Sequence, residues 1–397
     1  MSEDLERRLT SAFHELPGPA REVSARARTA VLATIPPTTR RRTGRVLAIA
    51  VAMLVLLAIA AAALAATGRL HVALGVSEPK PKAVVPTRLA LPQGAHGFAI
   101  VAGGKLSLVT RGGVRIEGLE ATTVELSPHA LYLAAGIGSS LVAMAPSGRR
   151  VWVHRVGGRV IAAAWAPDAL EIAYVVAGPR HDELRLIEGD GDHDRLVDAA
   201  VGPVKPSWRR DSAALAYVGA GGRPVVYDLG HDSRRVVGLG ICRGLGPVRT
   251  VAFAPHGSRL AFASQYAVWV ARVGARTRCQ AAVGKYATTG VGWLANGDLV
   301  SARRPLRGVG GYPAVVRHEL TPDGSFGRAV AAFAPAAPAA LALSPESSQV
   351  VVVLSRPGGF DVVTASPPPV SGFASLRPRH LLLRVARRSP VTALSWR

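Results

Sequence analysis

Beyond residue 95 the chain alternates short apolar runs with polar or glycine-containing breaks, and no helical period joins them. Runs such as GFAIVAG at 97–103, KLSLVT at 105–110, DELRLIE at 182–188 and AVWVARV at 267–273 read as strands separated by Gly, Pro, Asp and Asn turns. One longer phrase recurs: small or apolar residues, a large apolar residue, a polar or glycine turn, then another apolar strand. It runs VELSPHALYLAAG at 124–136, AAWAPDALEIAYVVA at 163–177 and PSWRRDSAALAYVG at 206–219. It returns as VAFAPHGSRLAFAS at 251–264, VGWLANGDLVSA at 291–302 and LALSPESSQVVVVL at 341–354, and ends as VTALSW before Arg397. The large residue at its centre is Leu126, Trp165, Trp208, Phe253, Trp293, Leu343 and Trp396. These repeat anchors are 39, 43, 45, 40, 50 and 53 residues apart, and they account for four of the six tryptophans.

A unit of roughly 45 residues holding about four short strands has the size of a propeller blade. One such blade cannot cover its own apolar faces; packing blades radially buries them and leaves only short edges. The ends of the region complement each other. The strands at 97–110 lack the opening phrase of a unit, and VTALSW is that phrase with nothing after it. Joined, they complete a seventh blade, so the reading is an all-β propeller over 97–397, its ring closed by a C-terminal strand at 391–397. Six or eight blades stay open, because the last two spacings are loose. The turns Ser127-Pro128, Ala166-Pro167-Asp168, Ala254-Pro255-His256-Gly257 and Ser344-Pro345-Glu346 resemble the SPDG strand-turn of TolB-type and WD40-like propeller repeats. Arg209-Arg210-Asp211 and Leu294-Ala295-Asn296 depart from it. The Gly-His and Trp-Asp pairs of regular WD40 repeats are absent, which makes the TolB-like version the closer resemblance; it implies protein contacts.

Ahead of the repeats, residues 46–66 (VLAIAVAMLVLLAIAAAALAA) contain no charge and no proline. At about 1.5 Å per residue this spans roughly 30 Å, the thickness of a bilayer's hydrocarbon core. The stretch is longer than a signal-peptide core and begins after 45 residues, so it reads as an uncleaved single-pass anchor. Arg40, Arg41, Arg42 and Arg45 precede it, which places the N-terminus in the cytoplasm and the repeats outside. Residues 67–96 form a proline-rich linker. In the head, 1–45, Leu5, Leu9, Phe13 and Leu16 share one helical face, followed by a weaker stripe from Val23 to Ile35. Either a partly folded tail or a docking module for a cytoplasmic partner fits this pattern. The layout is similar to that of membrane-bound anti-sigma factors, but their His-x-x-x-Cys-x-x-Cys signature is missing.

Composition narrows the function without naming it. The 397 residues carry a net charge of +22 with 49% apolar and 5% aromatic types. That apolar share excludes a disordered chain. With 43 Arg against 5 Lys, part of the charge reflects coding bias. Outside the cell, anionic headgroups or envelope polymers suit such a surface, and nucleic acid does not. The sequence holds no recognisable catalytic spacing, no zinc set, no phosphate loop and no cofactor motif. Asp190-Gly191-Asp192-His193-Asp194 lacks the Gly and Glu of a calcium loop and reads as a hairpin turn. Cys242 and Cys279 precede successive anchors at similar offsets; a disulfide between them and two separate buried thiols both remain open. The expectation is a non-catalytic binding, scaffold or sensing module for an envelope protein, polymer or small ligand. The alternative is an envelope hydrolase or lyase with its site at the central channel.

Overall fold

Val350–Val353 is a run of four valines in which successive side chains point to opposite faces, and both faces are buried. Val351 and Val353 join one apolar cluster, and Val350 and Val352 join another. This pattern pervades the chain: middle strands are apolar on both sides because sheets cover both sides. The computed structural model describes residues 91, 96–110, 113–237, 246–274, 279–283, 286–306, 311–322, 324–343, 349–369, 374–376, 378–385 and 391–396. The head, the 46–66 span and nearly all of the linker lie outside them. Among the described residues no helix is long and apolar enough to cross a membrane.

The described strands form seven sheets, each lettered a to d from the ring's centre outwards. Blade 1 joins the two ends of the repeat region: Val391–Trp396, Gly97–Ala102, Lys105–Thr110 and Gly113–Glu120. Phe98 pairs with Trp396 and Ile100 with Leu394, antiparallel. Blade 2 is Thr123–Leu126, Leu133–Ile137, Ser140–Met144 and Arg150–Arg155; blade 3 is Arg159–Trp165, Glu171–Ala177, Asp182–Glu188 and Arg195–Val201. Blade 4 is Ser207–Trp208, Ala214–Val218, Pro224–Asp228 and Ser233–Val236; blade 5 is Thr250–Phe253, Arg259–Ala263, Ala267–Arg272 and Cys279–Val283. Blade 6 is Tyr286–Trp293, Leu299–Pro305, Ala314–Leu320 and Phe326–Phe333; blade 7 is Pro338–Leu343, Val350–Arg356, Gly359–Ala365 and Pro378–Val385. Strand a of each blade packs against strand a of the next, including blade 7 on blade 1 and blade 1 on blade 2, so the ring closes.

Blade 6 departs from four strands. Ala374–Ser375, from the c–d connection of blade 7, pairs parallel with the outer strand Phe326–Phe333. That excursion lengthens blade 7, which accounts for the 53-residue spacing to Trp396. The 50-residue spacing before Leu343 arises within blade 6, from its long strands and the connection between Pro305 and Ala314.

Seven apolar clusters occupy the seven seams between neighbouring blades. In blade 5, Leu260 and Phe262 pack towards blade 4, while Ala261 and Ala263 pack towards blade 6. Each repeat anchor is the last residue of strand a in its blade. Trp208 Nε1 donates to Ala164 O at 3.0 Å, and Trp293 Nε1 donates to Ala252 O at 2.8 Å. Each of those carbonyls belongs to the residue just before the preceding blade's anchor. In the same sense, the Phe253 and Leu126 amides donate to Ser207 Oγ and Ser395 Oγ, both at 3.0 Å. Equivalent positions therefore meet at successive seams. All strands a run the same way, and their C-terminal ends define one face of the ring, the anchor face.

Candidate binding face

At the centre of the ring, ionisable side chains are few. Glu125, on strand a of blade 2, is only 4% exposed and receives Lys205 Nζ at 2.5 Å. Lys205 lies two residues before strand a of blade 4, so this ion pair reaches past blade 3, whose equivalent residues are Ala162 and Ala164. A buried carboxylate with an ammonium partner is neutralised in place. General acid–base work at a channel mouth would require a second carboxylate or a histidine beside it.

The histidine–carboxylate pairs lie at the rim instead. Asp194 accepts from Tyr174 Oη at 2.6 Å and from Arg185 Nη2 at 2.7 Å, with His154 Nε2 of blade 2 at 3.3 Å. Burial works against the Asp194 carboxylate, but Arg185, Tyr174 and His154 outweigh it and hold its pKa below the usual range. Burial, then Asp194, push the Tyr174 phenol upwards. A similar set follows at the next seam, where Tyr217 Oη donates to Asp198 at 2.7 Å beside Arg234 at 3.2 Å. The acidic stretch 190–194 is thus a hairpin turn. Asp190 caps its own turn at the Asp192 amide, Asp194 turns to Arg185, and the three aspartates do not converge. Among the described residues, no group of His, Cys, Asp or Glu is arranged to hold a metal ion.

Ser301 and His318, on strands b and c of blade 6, form the one serine–histidine pair among the described residues, at 3.0 Å. The serine is fully buried, and His318 Nε2 also accepts from Arg303 Nη2 at 3.1 Å. Burial, then the charge of Arg303, hold this imidazole down at about 3. A ring nitrogen so occupied and so weakly basic does not serve as a base for its serine. The cluster is a packing element, with His318 edge-on to Phe326 at 5.4 Å.

The anchor face carries two clefts in equivalent places. Between blades 3 and 4, a cavity of about 640 Å³ is lined by Asp168, Glu171, Glu188, Asp190 and Asp211 together with Leu170 and Leu229. Between blades 5 and 6, a cavity of about 380 Å³ is lined by His256, Arg259, Arg272, Trp293 and Asn296, with no acidic residue among its described lining. On the same face, the a–b turns of blades 2 and 3 expose Leu131 and Leu170 at 62% and 68%, next to Tyr132. The charge segregation has a sequence basis that periodicity does not reveal. Residues 97–232 hold fifteen acidic and fourteen basic residues, while 233–397 hold five acidic and twenty-one basic. From Ser233 to Gly297 there is no acidic residue at all. Counting charge by blade, rather than over the whole chain, would have found it. Of the disulfide candidates, Cys242 and the Cys279 side chain lie outside the described residues.

No family model and no curated protein matches the chain. Solved structures do, through the fold. The Cps50 (Swd1) β-propeller domain of Myceliophteria thermophila aligns at TM-score 0.50 and 12% identity, over 68% of this chain and 93% of that one. A protein from Bacteroides uniformis assigned as a 6-phosphogluconolactonase aligns at 0.55 and 11%, over 77% and 100%. TolB from Acinetobacter baumannii aligns at 0.47 and 14%, over 76% and 82%. The first two show a β-propeller architecture, and at these identities they show the fold alone.

Proposed function

We propose that this chain is a non-catalytic recognition module, a propeller held to the outer side of a membrane by the 46–66 span. Its anchor face would bind an envelope protein or anionic envelope component. The observation that carries the reading is the contrast between centre and face. In the ring the buried Glu125 carboxylate is held by Lys205, whereas the anchor face leaves exposed leucines and two clefts, one lined by carboxylates and one by arginines. Surfaces of that kind favour association and orient a partner electrostatically. The topology rests on the uncharged span and the arginines before it. The head, 1–45, would then offer a separate site to a cytoplasmic partner.

The test is affinity capture of the detergent-solubilised full-length protein beside a Leu131→Asp, Leu170→Asp variant, with protease added to intact cells as a companion. A partner retained by the wild type and lost by the variant supports recognition through the anchor face. Protease should cleave the propeller and spare the first 45 residues. Turnover of an envelope substrate by a protein that captures nothing would favour the enzyme reading instead.

A further inference from the structure

The cleft between blades 5 and 6 is lined by two arginines. Arg259 opens strand b of blade 5, Arg272 closes strand c, and the two are direct cross-strand partners. Like charges directly opposite each other in a ladder are destabilising. Among the described residues no carboxylate pairs with either arginine, and the 233–297 stretch that contains both holds none; Asp323, in the turn that carries Pro322, lies outside the described residues. Arg259 Nη2 is tethered to backbone carbonyls of the blade 6 c–d turn, Pro322 O at 2.6 Å and Thr321 O at 3.3 Å. That tether orders the side chain and leaves its charge in place. Arg272 is exposed, and His256 and Asn296 are among the other lining residues.

We propose that this cleft is a binding site for a small phosphate monoester, with Arg272 and Arg259 on the phosphate and the rest of the ligand between the turns at His256 and Asn296. Paired guanidinium groups match a tetrahedral dianion in charge and in hydrogen-bond geometry. The cavity of about 380 Å³ falls within the range of small-ligand sites and exceeds what a bare phosphate fills. The equivalent cleft between blades 3 and 4 is lined by carboxylates and does not suit the same ligand. The assignment rests on the reading of the anchor face as a binding surface and names a ligand class for one part of it.

The test is calorimetric titration of the full-length protein in detergent, at fixed ionic strength, with glycerol 3-phosphate and with inorganic phosphate. Arg272→Gln is compared with Arg149→Gln, which makes the same charge change in the c–d turn of blade 2, away from the cleft. Expected is saturable binding of one monoester per chain, tighter than inorganic phosphate. It should weaken at least tenfold in Arg272→Gln and less than twofold in Arg149→Gln. Equal weakening in both variants would show attraction by net charge only and overturn the site. So would absence of monoester binding, or binding confined to vesicles containing an anionic phospholipid. A protein that still captures its partner through Leu131 and Leu170 while failing this titration would lose the phosphate site and keep the recognition reading.

Discussion

Four residues after each described anchor at an a–b turn, the backbone turns left-handed. Gly257 and Gly297 hold that position in blades 5 and 6, at φ of 75° and 88°, but Ala130, Ala169 and Ser212 hold it in blades 2 to 4, at 52°, 65° and 59°. A side chain there costs roughly 1 kcal/mol, partly offset by the lower unfolded-state entropy of a non-glycine residue. Ala169→Gly should therefore raise stability by up to about 1 kcal/mol. Gly257→Ala, with open space around its Cβ position, should lower it by about as much for backbone reasons alone; urea melts of both check this. His318 gives a second test at this scale. Its folded pKa of about 3 lies below the ordinary 6.5, so between these values the unfolded chain takes up a proton that the folded one refuses. Stability is full above pH 6.5 and falls as the pH drops towards 3, by up to about 1.4 kcal/mol per unit. Loss through Asp194, whose pKa is depressed, comes only at the acid end. Denaturation midpoints between pH 6.5 and 4.5 should fall in the wild type and stay nearly level in His318→Gln. The anchors themselves were legible as residues, because strand ends at a crowded centre need a large apolar group in every blade. The His318 cluster was not, since its members are 15 to 17 residues apart on two strands.

Between elements, the seams decide the fold. Uninterrupted apolar runs in the middle strands show that both faces are apolar, and repetition of one phrase shows that the units are alike. Ring closure follows because strands 97–110 begin mid-unit while 391–396 begin a unit, and the structure pairs Phe98 with Trp396. The fifth strand of blade 6 was hidden, since two residues, Ala374–Ser375, carry no alternation to read. Polar bonds across seams were hidden as well. Trp208 and Trp293 reach a neighbouring carbonyl, whereas the buried Trp165 and Trp396 Nε1 groups have no partner among the described residues. Losing a paired indole N–H leaves an orphan carbonyl and costs about 1 kcal/mol beyond the packing loss. Trp208→Phe and Trp293→Phe should thus be more destabilising than Trp165→Phe and Trp396→Phe, by about that margin in equilibrium unfolding. Equal losses at all four would mean that the indole bonds contribute nothing to the seams.

For the whole molecule, the net charge of +22 conceals its distribution. The first half of the ring is near neutral and the second strongly basic, with the two clefts of the anchor face on opposite sides of that divide. Arginines on separate strands read individually as solvated charge, and only their placement on blade 5 brings Arg259 and Arg272 to one cleft with no acidic residue among its described lining. The central claim is that recognition takes place on the anchor face, through the turns that close strands a. Hydrogen exchange of the captured complex against the free protein tests it most directly. Protection is expected in the a–b turns at 127–132, 166–170 and 254–258. Protection confined to strands a around Glu125 and Lys205, or to the head at 1–45, would contradict it.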